Sequence, residues 1–155
     1  DLILIALPYE LRNVTDMPLF DDHFFLAHHE GSAFVDPARY NMNALPTDSI
    51  LLLEDGHCLR DHALSACNIK NADKVSSITA TSLLTLVQMV DADLGITYLP
   101  DMAVKSPLLK NTRIKTIAMD DSSYRQIGLV WRKASTRRDE FEMLGNFIKR
   151  HYQAG

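Results

Sequence analysis

The sequence predicts an α/β fold with mainly parallel sheets. Two observations carry that reading. The continuous apolar run Leu2–Leu7 (LILIAL) reads as a strand buried on both faces, and Ile50–Leu53 and Ile96–Leu99 read as further buried strands. Segments of helical spacing and composition alternate with them along the chain. The composition agrees: 46% of residues are hydrophobic and the mean hydropathy is −0.08, so the chain can bury a core.

Taken in order, Leu2–Leu7 is the first strand, expected to be buried on both faces, and Pro8–Pro18 is a loop. A buried strand beginning at residue 2 suggests that the chain is a piece of something longer. Phe24–Ala27 is a second strand, ended by His28 and His29. No Cys or acidic cluster follows that His pair at ligand spacing, so no metal is predicted. Glu30–Ser49, with Pro37 and Pro46, reads as loop plus a short helix. Ile50–Leu53 is a strand, Asp55-Gly56 a turn, and His57 opens a segment rich in helix formers through Ala66. Ser76–Ala80 is a strand. Thr81 or Ser82 caps a helix, Leu83–Val90, with Leu83, Leu86, Val87 and Val90 on one stripe. Ile96–Leu99 is a strand, Pro100 opens a brief helix over Asp101–Val104, and Arg113–Ala118 and Ile127–Trp131 are strands. Thr136 caps the last helix, whose early Asp139 and Glu140 and late Lys149, Arg150 and His151 suit the helix dipole. Its apolar face of Phe141, Leu144, Phe147 and Ile148 reads as core.

Several function classes drop out. Net charge −4 and pI ≈ 5.8 argue against a broad nucleic-acid surface in these residues, though not against DNA binding by a neighbouring domain. No apolar run approaches the length of a membrane span. Two cysteines are too few for a secreted disulfide framework. No GxGxxG, Walker A or GxSxG sequence is present, so neither a nucleotide nor any other cofactor is predicted.

The chemistry concentrates in Leu51–Cys67, LLLEDGHCLRDHALSAC, which holds both cysteines. The reading places Cys58 in the first turn of a helix, just after a sharp strand-to-helix turn. Unpaired N–H groups and the dipole at that end favour a thiolate. His57 is adjacent, and His62 is one turn on, along the same face. On an unbroken helix, nine residues rise roughly 13.5 Å and bring Cys67 half a turn out of phase. Bridged cysteines need Cα atoms within about 7 Å. Helix and disulfide would then exclude each other. A bond formed at the expense of roughly 4 kcal/mol of structure has a potential about 90 mV more oxidising. The alternative is two buried, inert apolar side chains, and the residues alone leave both open.

LEDGHCLRDHALSAC resembles the redox-active segment LEDGHCLRDQA…C of the OxyR family of LysR-type peroxide sensors, and ATSLLTLVQMV, LGITYLP and IGLVWR are similar to that family's later stretches. The likeness runs along essentially the whole chain. It implies two periplasmic-binding-protein-like α/β subdomains with crossing strands. Residues 1–20 and 125–155 would form part of subdomain I, and 21–124 would form subdomain II, carrying the cysteines. A DNA-binding domain and the start of subdomain I, with the family's peroxide-contacting threonines, are expected upstream of Asp1. Carried over by residue, Cys58 is the peroxidatic cysteine and Cys67 the resolving one. His57 supports the reactive thiol, and Arg125 stabilises thiolate and peroxide. Asp61 matches the family's acidic residue and is read here as a local helix stabiliser. His62 departs from the commoner Gln. The resemblance further implies a cytoplasmic homodimer or homotetramer that contacts no membrane. Hydrogen peroxide is the signal, glutaredoxin or thioredoxin the reductant, and DNA the target of the upstream domain. It implies a regulator and not an enzyme. Two other readings use the same residues: a LysR-type small-molecule effector domain with incidental cysteines, and a thiol peroxidase.

Overall fold

The structure is a computed structural model, and it describes residues 1–8 and 12–152. Its elements are β1 (Leu2–Leu7), β2 (Val14–His29), β3 (Ile50–Leu53), α1 (Cys58–Ala66), β4 (Val75–Ala80), α2 (Leu83–Asp91), β5 (Thr97–Pro100), α3 (Asp101–Val104), β6 (Ile114–Ala118), β7 (Tyr124–Arg132) and α4 (Arg138–Tyr152). Four short 3-10 turns lie between them, two in the segment from Glu30 to Ser49. The chain divides into two compact units. One is Asp1–Asp22 with Arg125–Gly155, and the other is His23–Tyr124.

In the first unit β1 pairs antiparallel with β7, from Leu2 opposite Trp131 to Leu7 opposite Gln126, and β2 lies beyond β7. Leu19, Leu129, Trp131 and Phe141 form its core, with α4 supplying Phe141. The expected double-sided burial of Leu2–Leu7 is not found: Ile3 is 44% exposed and Leu4 55%. Among the described residues β1 pairs with β7 alone, and Ile3 and Leu4, which point to opposite faces, are both left uncovered. β2 also begins well before the predicted Phe24 and absorbs much of the predicted Pro8–Pro18 loop. Its first half shows one face to solvent, so Thr15, Asp16 and Pro18 disguised it as loop. Residues 9–11 of that loop lie outside the described residues.

In the second unit β3 is the central strand. It runs parallel to β4, and at Ile50–Ile96 it bridges in parallel to the start of β5. Leu51 N donates to Ile96 O at 2.7 Å, and Ile96 N to Ser49 O at 2.9 Å. Gly95 makes that approach possible, because a Cβ there would lie 2.6 Å from the Ser49 carbonyl oxygen. β5 and β6 both run antiparallel to β2. Four strands thus share one direction and β2 opposes them. The expectation of mainly parallel sheets needs correcting to this extent: the β1–β7, β2–β5 and β2–β6 ladders are antiparallel. The reason is topological, since β2 brings the chain into the unit against the direction of the strands that later join helices.

All four residues of β3 are buried, for the reason its apolar sequence suggested. Successive side chains point to opposite faces. Ile50 and Leu52 join one core with Phe24, Leu26, Ala63, Cys67, Ile96 and Tyr98. Leu51 and Leu53 join another with Ala80, Leu86, Val87, Val90 and Leu99. So α1 covers one face and α2 the other, each buried Leu contributing about 1.5–3 kcal/mol. Ser82 caps α2, accepting a hydrogen bond from Thr85 N at 3.1 Å. The expected cap at Thr136 is displaced: α4 starts at Arg138, Phe141 N donates to Arg137 O, and Ser135 Oγ accepts from Arg137 N.

Candidate functional site: two thiols at the ends of one helix

β3 ends at Leu53, and Glu54-Asp55-Gly56 turns the chain into α1. Gly56 has φ +93, a conformation that side-chain-bearing residues rarely adopt. His57 takes the N-cap position with extended backbone, and its side chain makes no capping hydrogen bond. Its Nε2 lies 3.8 Å from Glu54 Oε1 instead. Arg60 turns back toward the strand end, where its Nε meets Asp55 Oδ1 at 2.9 Å and its Nη1 donates to Leu53 O at 3.0 Å. The arginine nearest in sequence is therefore engaged by the turn. Asp61 sits in the first turn, where a negative charge suits the dipole. Cys58 is the first helical residue and is exposed as a free thiol.

The other end of α1 is built differently. Cys67 is the C-cap, and its N–H donates to Ala63 O. Asn68 adopts φ 53 and its N–H donates to Ser65 O, while Ile69 N–H donates to Leu64 O. These two bonds form a Schellman closure, with Asn in the left-handed position usually taken by Gly. Cys67 is 6% exposed and is a free thiol. Burial, and secondarily the Asp120 carboxylate, push its pKa up to about 12. Asp120 itself is held below the usual carboxylate range by hydrogen bonds from Ser122 and Ser123, both to Oδ1. The Tyr40 and Tyr98 hydroxyls bond each other at 2.9 Å, and burial raises both phenols. Tyr40, Cys67, Asp120 and Ser123 line an open cleft of about 420 Å³.

The second unit thus brings together three of the four residues singled out from sequence: His57 and Cys58 at one end of α1 and Cys67 at the other. The helix between the cysteines is unbroken. Arg125 belongs to the first unit, where its guanidinium pairs with Asp22. Sequence reasoning missed Asp22, Tyr40, Tyr98 and Asp120. Asp22 had a signal: it falls in the same two-residue register as the buried Phe24 and Leu26, where an acid must find a partner. His28 and His29 are committed locally, to His29 O and Gly31 N respectively. Among the described residues no group of three or more His, Cys, Asp and Glu side chains is set to hold a metal, and no helix is long and apolar enough to cross a membrane.

Comparison with known proteins yields a match of residues 1–153 to the LysR substrate binding domain family. The chain is 32% identical over 151 residues to the HTH-type transcriptional regulator EstR of Acinetobacter baylyi, covering 97% of this chain and 50% of that protein. It is 36% identical over 149 residues to the DNA-binding transcriptional dual regulator OxyR of Escherichia coli, covering 96% of this chain and 49% of that protein. The chain spans about half the length of these curated relatives. Among solved structures, the reduced form of the OxyR2 regulatory domain from Vibrio vulnificus superposes with a TM-score of 0.90 at 36% identity. That match covers 97% of this chain and 71% of the other.

Proposed function

The chain belongs to the LysR substrate binding domain family, and from that premise we propose that it is the hydrogen-peroxide-sensing regulatory region of a LysR-type transcription regulator. The observation that carries the reading is the asymmetry of α1. An exposed thiol stands at its first position, and a buried thiol held neutral stands just past its last. The hydrogen peroxide-inducible genes activator of Dickeya chrysanthemi, 35% identical to this chain over 153 residues, supports it. The two units correspond in this reading to the family's two subdomains, and the DNA-binding domain is a further part of the protein.

The chemistry runs in two steps. The Cys58 thiolate attacks one oxygen of hydrogen peroxide. The O–O bond breaks, hydroxide leaves, and Cys58 becomes a sulfenic acid. His57 supports the reacting group, and Arg125 stabilises the thiolate and the charge developing on oxygen. Cys67 then attacks the Cys58 sulfur. The S–O bond breaks, the departing hydroxide takes up the Cys67 proton as water, and a disulfide forms. One electron from each sulfur reduces the peroxide to two waters in all. Cys67 cannot take part from its buried, protonated place beyond an intact helix, so α1 unwinds before the second step. The rearranged segment repacks a surface between copies of the chain, a homodimer or homotetramer, and thereby alters DNA binding. Glutaredoxin or thioredoxin returns the pair to thiols in the cytoplasm. Brief peroxide exposure followed by sulfenic-acid trapping tests the assignment. Cys58 takes the label, and Cys67→Ser accumulates it; faster labelling of Cys67 than of Cys58 overturns the roles.

A second reading has its own support. The relative EstR is named as a regulator without mention of peroxide, and the second unit carries an open cleft. A small-molecule effector domain with incidental cysteines would show a ligand-induced melting shift that survives replacement of both cysteines.

A further inference from the structure

We propose that Tyr40 and Tyr98 form a clasp that controls the release of Cys67, so that the segment between β2 and β3 gates the resolving step. The proposal rests on the role given to Cys67 above and adds the residues that set when this thiol becomes available. Every group in it belongs to the second unit.

The segment from Glu30 to Ser49 contains two short 3-10 turns and no strand. Backbone bonds tie its ends: Glu30 N donates to Arg113 O at 2.8 Å, Asp48 N to Asp73 O at 2.9 Å and Ser49 N to Lys74 O at 3.0 Å. Its middle is held by side chains. Val35 and Leu45 are buried in the same core as Cys67, and Phe34, Tyr40 and Met42 pack against that core. Tyr40, Met42 and Asn43 line the cleft that Cys67 also lines. The Tyr40 and Tyr98 hydroxyls lie 2.9 Å apart, and Tyr98 OH donates to Met42 Sδ at 3.6 Å. Lys74 Nζ donates to Asn43 O at 3.2 Å and also to Leu45 O.

Tyr98 is 1% exposed on β5, where a phenylalanine would fill the same space. What its hydroxyl adds is a hold on the segment, through Tyr40 and Met42. A phenol has one hydrogen to give. That of Tyr98 goes to Met42, so Tyr40 donates to Tyr98. Lifting the middle of the segment breaks both bonds together and breaks no strand ladder, which makes it a local opening and not an unfolding of the unit. The other hold on Cys67 is the closure of α1 at Asn68 and Ile69. The gate is the part of the enclosure that the helix does not supply.

The test follows alkylation of Cys67 by iodoacetamide in the reduced Cys58→Ser protein. A sulfur–carbon bond forms, iodide leaves and the thiol proton passes to buffer. With closing faster than alkylation, the rate reads the open fraction. Tyr40→Phe and Tyr98→Phe each raise it about threefold to tenfold, the worth of one hydrogen bond. The double variant reacts no faster than Tyr98→Phe, because the two hydroxyls share that bond. Ser82→Ala removes the cap of α2 on the other face of β3; it lowers the melting temperature and leaves the Cys67 rate in place. Unchanged rates in the tyrosine variants overturn the proposal, and so does equal acceleration by Ser82→Ala. Should neither tyrosine variant fold, Lys74→Met carries the test, with the same acceleration expected and its absence equally fatal.

With Cys58 restored, one equivalent of hydrogen peroxide should give the disulfide faster in Tyr40→Phe than in the wild type, while sulfenic acid forms on Cys58 at the same rate. Faster alkylation with an unchanged rate of disulfide formation overturns the gate alone. Absence of the disulfide in every variant removes the resolving role of Cys67, and the gate on that step falls with it.

Discussion

Cys67 shows how the environment of a residue sets its part in the chemistry. Burial and the nearby Asp120 carboxylate raise its pKa from 9.0 to about 12. The folded chain therefore keeps this proton across a range where the unfolded chain gives it up. Stability from the neutral thiol is fully present below pH 9 and is lost as pH rises toward 12. Tyr40 and Tyr98, both raised by burial, act with the same sign at higher pH. Urea unfolding of Cys58→Ser between pH 8 and 10.5 should show stability falling with pH. With Cys67→Ala added, the fall should be shallower by on the order of 1–2 kcal/mol. Parallel slopes would mean that the thiol is not held neutral by the fold. Cys58, exposed at a helix start, lacks any such enclosure.

At the scale of the element, α1 is fastened unequally. Its C-terminal end has the Asn68–Ile69 closure and a buried Cys67. Its N-terminal end has a His57 that caps nothing and an Arg60 that ties the first turn to Leu53 and Asp55. Unwinding should therefore begin at Cys58 and spread toward Cys67, because the last turn is anchored in the core. Amide exchange across Leu59–Ala66 should be faster in the peroxide-oxidised protein than in the reduced one, and in the reduced protein faster at Leu59 than at Ala66. Protection that stays the same on oxidation would show that the disulfide forms without loss of the helix.

For the whole molecule, the sensor and peroxidase readings differ in turnover. A sensor with one reacting pair consumes one peroxide per chain, loses both thiols and then stops until it is reduced. Anaerobic titration should therefore reach its endpoint at about one equivalent of hydrogen peroxide, with a mass loss of two hydrogens. Continued rapid consumption with thioredoxin or glutaredoxin systems present would favour the peroxidase.

Much of the second unit could be read directly from the residues. Ile50–Leu53 announced a buried strand, and Gly56 followed by helix formers announced α1 with Cys58 at its start, because turn chemistry and propensity act locally. Helical periodicity then forbade a Cys58–Cys67 bond on the intact helix. Other features depended on residues distant in the chain. The antiparallel course of β2, the incomplete cover of β1 and the start of α4 past Thr136 follow from which strands and helices became neighbours. The meeting of Asp22 with Arg125 and of Cys67 with Asp120 likewise depends on tertiary folding. Local sequence determined where the two thiols and the helix between them lie. Tertiary structure decided which thiol is exposed, which is kept neutral and which acid holds the arginine, since burial and long-range pairing arise only when the chain has packed.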